Sequence, residues 1–323
     1  MLSAHSMIVV LHFLGVLFQA QPPVEPPSTV GIYAIVVADE RTGPVGTAQN
    51  KDGVIHLLKS VRESGIPVEI EVLDPQAISP GLMVRRLQDL DPAKMKDRTL
   101  LFYYSGHGAR DPQFGHYFQT SFGQIYRSQI LAEIQAKAPA LTIVLTDSCN
   151  IEARAKGVMF PVLGPIERKL VRNLFLQHRG TVDINASSPG QAAFYDPTGG
   201  LFTASFLRMF GKKEDEDALH PFDRDKDNFV SWEEAFKKLL TDTSIQYLSF
   251  RDTALTPNGP LRIANRQERT QLLNQLSQDP MYFGSLATRS DGKAPAKVAA
   301  GRKLRLGVNV EQDLNSLARF WDV

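Results

Sequence analysis

Cysteine is nearly absent: the 323-residue chain has one, Cys149. A lone thiol excludes an internal disulfide and leaves inert packing or reactivity as its uses. Charge of one sign is not in excess, since 36 Lys and Arg stand against 35 Asp and Glu for a net +1. That balance gives no electrostatic case for nucleic acid. No apolar run reaches the length that spans a bilayer, and no repeat period marks a solenoid or propeller. What is there is ordinary globular composition, 43% hydrophobic, at a length that suits one main domain with appendages.

Cys149 follows an apolar run, Leu141 to Thr146, in the string Thr146-Asp147-Ser148-Cys149-Asn150. A second run, Thr99 to Tyr104, leads into Ser105-Gly106-His107-Gly108. Both have the length and the β-branched or aromatic content of buried strands. Most free cysteines are packed and inert. Cys149, however, follows an acid and a serine outside its apolar run, and His107 stands between two glycines that admit close backbone approach. The pattern places a thiol and a base on neighbouring loops beyond the carboxyl ends of parallel strands, where ligands collect.

Other segments supply the rest of such a sheet. Ile32 to Val37 and Pro67 to Val72 read as strands, and between them Val54, Leu57, Leu58 and Val61 recur at helical spacing within Ala48 to Val61. Ser79 to Leu90 reads as a helix capped by Ser79 with Pro80 at its first position. After the His107 strand a long irregular loop carrying Phe114, Tyr117 and Phe118 is expected, then a helix from Ser128 to Lys137. Pro165 to His178 reads as helix, Thr181 to Ala186 as strand and Leu201 to Phe210 as helix. This alternation predicts a parallel sheet covered on both faces, with right-handed crossovers that bring the strand ends to one rim.

Tyr103-Tyr104-Ser105-Gly106-His107-Gly108 followed by Asp147-Ser148-Cys149 resembles the catalytic pair of the caspase-like cysteine peptidases (peptidase C14, clan CD), nearest to the metacaspase-like bacterial proteins. Asn185 to Gln191 and Gly200 to Thr203 resemble the later strand, loop and helix start of that fold. The likeness spans about residues 30 to 210 and departs at Asn150-Ile151-Glu152, where metacaspases carry His-Ser-Gly. It implies an α/β fold, a caspase-like mostly parallel β-sheet flanked by helices on both faces as an α/β/α sandwich. It also implies hydrolysis of protein or peptide substrates by a Cys-His dyad that needs no cofactor for the chemistry. Cys149 would be the nucleophile and His107 the acid and base, with the N–H groups of Gly108 and Cys149 on the oxyanion. His116 and His178 read as surface or packing residues.

Side chains two apart on a strand share a face, so Asp147 is expected beside Cys149 and facing the cleft, with Ser105 in the same relation to His107. A carboxylate there favours Arg or Lys before the cut bond. By the resemblance, Asp52 adds an acidic wall, a place that Asn50 takes under a slightly different register. Arg41 competes, because strict caspases hold an arginine after the first strand that binds an aspartate. A buried Asp147 would repel that aspartate, which favours basic cleavage sites. A catalytically silent caspase fold that only binds is the other function class left open.

A second motif is independent. Asp223, Asp225, Asp227, Ser231 and Glu234 occupy loop positions 1, 3, 5, 9 and 12, with the Phe229 carbonyl at 7, as a Ca²⁺-binding EF-hand loop requires. Asn228 replaces the usual glycine at position 6, and Asn tolerates left-handed backbone. The alternative is an acidic surface turn. Trp232 to Leu240 reads as the exiting helix, while Pro221 spoils an entering one.

At the N-terminus, Met7 to Phe18 has the length of a signal-peptide apolar core, although no Lys or Arg precedes it. A short anchor or a buried first strand is the competing reading. The organisation expected is a signal peptide at 1–20 that directs export and leaves no membrane span, a Pro-rich linker at 21–29, a caspase-like domain at 30–250, and a C-terminal extension at 251–323. Within the extension, Gln267 to Leu276 reads as a short helix, Asp291 to Arg302 as a linker and Glu311 to Trp321 as an amphipathic segment.

Overall fold

The computed structural model describes residues 29–149, 166–189, 193, 195–196, 199–211, 222–253, 255–256, 259–260 and 281–291. The N-terminal apolar stretch, most of the Pro-rich linker, the residues directly after Cys149, and the segments read at 267–276 and 311–321 lie outside them. In chain order the first half is β1 (Ile32–Ala38), α1 (Thr47–Glu63), β2 (Val68–Val72), α2 (Pro80–Gln88), α3 (Pro92–Met95), β3 (Thr99–Ser105), β4 (His107–Asp111), β5 (Gly115–Thr120), β6 (Gly123–Tyr126) and α4 (Arg127–Gln135). Then come β7 (Leu141–Asp147), α5 (Arg168–Val171), β8 (His178–Asn185), the short pair β9 (Tyr195–Asp196) and β10 (Gly199–Gly200), α6 (Leu201–Met209) and α7 (Trp232–Thr253). A second short pair, β11 (Leu255–Thr256) and β12 (Gly259–Pro260), precedes β13 (Tyr282–Ser285) and β14 (Thr288–Arg289).

The central sheet has the spatial order β13-β8-β7-β3-β1-β2. The five strands from β8 to β2 are parallel. Alternation along each strand feeds two separate cores. Ile32, Ala34 and Val36 join Leu101, Tyr103, Ile143 and Leu145 in one core, under α1, α6 and α7. Ile35 and Val37 join Leu100, Phe102, Tyr104 and Val144 in the other, under α2 and α4. Burial on both faces is why these strands read as unbroken apolar runs rather than alternating ones. The cap of α2 forms as its sequence predicts, with the Leu82 N–H donating to Ser79 Oγ at 3.2 Å and Pro80 at the first position. Among the described residues, no helix is long and apolar enough to cross a membrane.

Three parts of the chain depart from the expectations. The irregular loop after His107 is a three-stranded antiparallel sheet, β4-β5-β6. Asp111 makes the first turn by accepting from the N–H groups of Gln113 and Phe114 at 2.7 and 2.8 Å. Phe118 and Ile125 face inward, with Phe118 stacked on Tyr104 at 4.2 Å between ring centres. Asp39, at the end of β1, accepts from the Ser121 N–H at 3.1 Å and so ties the second turn to the main sheet.

The helix read over Pro165 to His178 is cut short. After α5 the chain makes a wider helical turn at Arg172–Leu176, and β8 begins at His178. Asn173 explains the break: its amide donates to Gln177 Oε1 at 2.5 Å, its side-chain oxygen accepts from the Val230 N–H, and its carbonyl accepts from His178 Nδ1. The Val230 partner comes from the tertiary fold, 57 residues away, and helical spacing carries no record of it. Finally, the main sheet does not end at residue 250. β13 and β14, drawn from the expected C-terminal extension, pair antiparallel with β8, and Asp291 lies in the turn after them, while the rest of the segment read as a linker, 292–302, lies outside the described residues.

Candidate active site

The register of β3 on β7 sets Ser105 opposite Asp147. One residue further on, the Gly106 N–H donates to the Asp147 carbonyl at 3.2 Å. At Gly108 a Cβ would stand 2.6 Å from the Cys149 carbonyl oxygen and 2.9 Å from Ser148 Cβ, so only glycine lets β4 lie against that segment. His107 is thus bracketed by two residues that touch the Asp147–Cys149 stretch, and it is itself exposed.

That stretch is held at every carbonyl. The Asp147 carbonyl also accepts from the Tyr195 hydroxyl. The Ser148 carbonyl accepts from Ser187 Oγ at 2.8 Å and Asn185 Nδ2 at 3.3 Å. The Cys149 carbonyl takes His116 Nε2 at 3.0 Å. A carbonyl can only accept, so Nε2 carries the proton, and Nδ1 is buried with no partner among the described residues. Burial first, then the charge of Arg127, pushes the His116 pKa down to about 3 and keeps the ring neutral. Sequence alone places His116 only among surface or packing residues. The signal that could have found it is its spacing from Phe118, two residues on, which shares its face of β5.

Arg127, also unread in the sequence, lies behind this segment in a buried ion pair with Asp183, and it donates to Thr146 Oγ1 as well. Thr146 and Ser148 both donate to Asn185 Oδ1, at 2.7 and 3.1 Å. The scaffold under the thiol is therefore polar but paired. Cys149 Sγ donates to the Ala193 carbonyl at 3.7 Å, and burial, with a smaller contribution from the Asp147 charge, pushes the thiol above its ordinary value. His178 is a packing residue, as expected: it lies in β8 against the Phe229 ring at 4.9 Å, and burial lowers its pKa to about 4.

Asp147 is fully buried. Its Oδ2 accepts from the Thr203 N–H at 3.2 Å, Thr203 Oγ1 at 2.6 Å and Asn50 Nδ2 at 3.2 Å. Among the described residues its Oδ1 has no hydrogen-bond partner. Burial lifts the carboxyl to about 6 against those neutral donors. Asn50 Nδ2 also donates to Ser105 Oγ at 2.8 Å, and Asn50 Oδ1 accepts from the Gly200 N–H at 2.8 Å. Any Cβ at Gly200 would fall onto the carboxylate, so this glycine forms its roof.

Asp52 is not part of this group, which corrects the expectation. Its side chain is 72% exposed beside Lys51. Two residues along a helix turn through about 200°, so Asn50 and Asp52 face opposite ways, and Asn50 holds the inner place. Arg41 is exposed, with its guanidinium over the Phe122 ring at 5.2 Å.

Asp223, Asp225 and Asp227 bring carboxylate oxygens within 4.8 Å of one another. Asn228, at the position of the usual glycine, has φ 63°. Glu234 accepts from the N–H groups of Arg224 and Ser231, both at 2.9 Å, and so closes over the two ends of the loop. An all-oxygen donor set of this kind fits a hard divalent cation. Phe229 packs under the Arg289 guanidinium at 4.0 Å, and Arg289 reaches Asp227 at 2.5 Å. Burial first, then Asp225 and Asp223, raise Asp227 above the ordinary carboxyl value.

Among curated proteins no significant match was found. Among solved structures the chain is similar to caspase-1 from Spodoptera frugiperda at 14% identity, over 85% of this chain and 94% of that one, with a TM-score of 0.46. The family model described as "Caspase domain" matches residues 56–244, a span that contains His107, Cys149 and the acidic loop. The chain belongs to the caspase-domain family of peptidases, peptidase C14.

Proposed function

We propose that the protein is a cysteine endopeptidase of metacaspase type that cuts after Arg or Lys. The observation that carries this is the bracketing of His107 by Gly106 and Gly108 against the Asp147–Cys149 segment. In the reaction, His107 takes the thiol proton as Sγ attacks the scissile carbonyl, and the N–H groups of Gly108 and Cys149 bind the oxyanion. His107 then protonates the leaving amine as the C–N bond breaks. Water, giving its proton to His107, hydrolyses the resulting thioester and frees the thiol. A thiol raised by burial needs such a base, because little of it ionises unaided at neutral pH. An active-site thiol probe tests the reading: labelling of Cys149 that is lost in His107→Ala supports it, and labelling indifferent to His107 counts against it.

Selection of Arg or Lys rests on Asp147, whose Oδ1 is buried without a partner among the described residues. A cation brought by the substrate would satisfy it, with Ser105 beside it on the opposite strand. Arg41, which would serve a bound aspartate, is instead stacked on Phe122.

The loop from Asp223 to Glu234 is proposed as a Ca²⁺ site, with Asp223, Asp225, Asp227, Ser231 and Glu234 giving side-chain oxygens and Phe229 its carbonyl. Ca²⁺ would bind the folded chain preferentially and raise its Tm, by about 2.7 kcal/mol of stability at a hundredfold excess over Kd. Glu234→Gln should blunt that rise. If calorimetry finds no binding to the wild type at millimolar Ca²⁺, the loop is only an acidic turn. Export, by a signal peptide at 1–20, is proposed on the apolar stretch from Met7 to Phe18. The peptidase unit then runs from about residue 30 through the strands that end at Arg289.

A further inference from the structure

Among the described residues, the β4-β5-β6 sheet has an outer face that belongs to neither core. Residues opposite one another on paired strands share a face, as do residues two apart on one strand. The register sets His107, Gln119 and Gln124 at one level, and Ala109, Tyr117 and Tyr126 at the next. All six lie on the side opposite buried Phe118 and Ile125. The Tyr117 and Tyr126 rings meet edge to face at 5.9 Å. Phe114 extends the group, 5.4 Å from Tyr126 and 58% exposed. Three aromatic rings thus form an uncharged patch on the same face as His107, and the cores of the main sheet do not include them.

We propose that this patch binds the substrate on the carboxyl side of the scissile bond and takes an aromatic or large apolar side chain at the second or third residue beyond it. The inference rests on the reading of His107 and Cys149 as the reacting pair. His107 delivers its proton to the leaving amine, so the departing segment starts at His107. From the level of His107 to that of Tyr117 is two strand residues, about 7 Å. An extended peptide covers that distance in about two residues. Tyr117, Tyr126 and Phe114 offer edges and faces to a further ring, an arrangement that adds to simple area burial. Contiguous exposed apolar surface marks an interaction site in general. Its continuity with His107 commits the occupant here to the substrate itself.

The test uses two internally quenched peptides with Arg before the cut bond, one with Phe and one with Gly at the second position after it, and a coumarylamide of Arg with no residue after the bond. The wild type should cleave the Phe peptide with about tenfold higher kcat/KM than the Gly peptide. In Tyr117→Ala the ratio of the two should fall to about one, a change that a general loss of folded enzyme, which lowers both rates alike, cannot produce. Phe114→Ser, at a largely exposed position, should lower the ratio about threefold without risk to the core. Equal kcat/KM for both peptides in the wild type, with the coumarylamide still cleaved, would overturn the subsite and leave the peptidase reading standing. A full Phe preference retained in both variants would also overturn it. If none of the three substrates is cleaved, the reading of the protein as a peptidase that cuts after Arg fails and the subsite falls with it.

Discussion

Replacing Cys149 by alanine should abolish amide hydrolysis and leave the fold in place. The thiol reaches one partner among the described residues, the Ala193 carbonyl at 3.7 Å, and that contact is weak. What holds its backbone lies elsewhere, in Tyr195, Ser187, Asn185 and His116, so the variant keeps its geometry while losing the attacking atom. His107→Ala should remove at least about a hundredfold of the rate, the usual contribution of a positioned acid and base. His107 is exposed, so this loss comes without a fall in Tm. Steady-state rates on Arg and Lys amides, with thermal melts of each variant, check both points. Undiminished turnover by Cys149→Ala would end the cysteine-peptidase reading.

Asp147→Asn should move activity and stability in opposite directions. On substrates with Arg or Lys before the bond, loss of one partner of a desolvated charge pair costs about 2 to 5 kcal/mol, so kcat/KM should fall at least about tenfold. Stability follows the proton. The Asp147 carboxyl titrates near 6 in the fold against 3.8 ordinarily, so between those values the native state holds the proton more tightly than the unfolded chain does. The stability this confers is full below about pH 4 and is lost as pH rises through about 6. Above that the buried charge weighs on the fold by up to about 3 kcal/mol, since each tenfold change in proton affinity is worth about 1.4 kcal/mol. Asparagine keeps the volume and removes the charge, so the fall in wild-type Tm between pH 4 and 7 should flatten in the variant. An Asn variant that cleaves basic substrates as well as the wild type, or a wild type that prefers aspartate, would return the pocket to Arg41.

The fold and the candidate pair, His107 and Cys149, are legible because both rest on strands buried on two faces. Thr99 to Tyr104 and Leu141 to Thr146 are continuous apolar runs, and the residues that follow each run lie together on the rim. The small sheet is not legible in the same way. Its strands are short and half-exposed, so Phe118 and Ile125 stand among polar residues and the period of two is diluted. His116 is hidden with it, although Asp111-Pro112 and Gly115 are turn signals at the right distance for a hairpin. The exchange of Asp52 for Asn50 is a different failure. Resemblance fixes the helix but not its rotation, and two residues of rotation separate a buried amide from a solvated acid. Of the Asn173 contacts that end the helix before β8, those to Gln177 and His178 are local, but the one to the Val230 N–H comes from 57 residues away and no local window contains it.

The pairing of β13 and β14 with β8 bears on how the protein can be handled. At the other edge of the sheet, β2 carries Glu69 and Glu71, which engage Arg98 and Arg86, and charged edges of this kind resist pairing with a second chain. In β8 the one charge of the run from Val182 to Asn185, Asp183, is turned to Arg127, and the strand's free edge is covered by the late antiparallel segment. A fragment trimmed at residue 250, where the family resemblance has already ended, would lay open the backbone donors and acceptors of that edge. It would also release Arg289 from Asp227. Such a fragment invites intermolecular strand pairing and precipitation, so material meant for assay or crystallisation has to extend beyond Asp291.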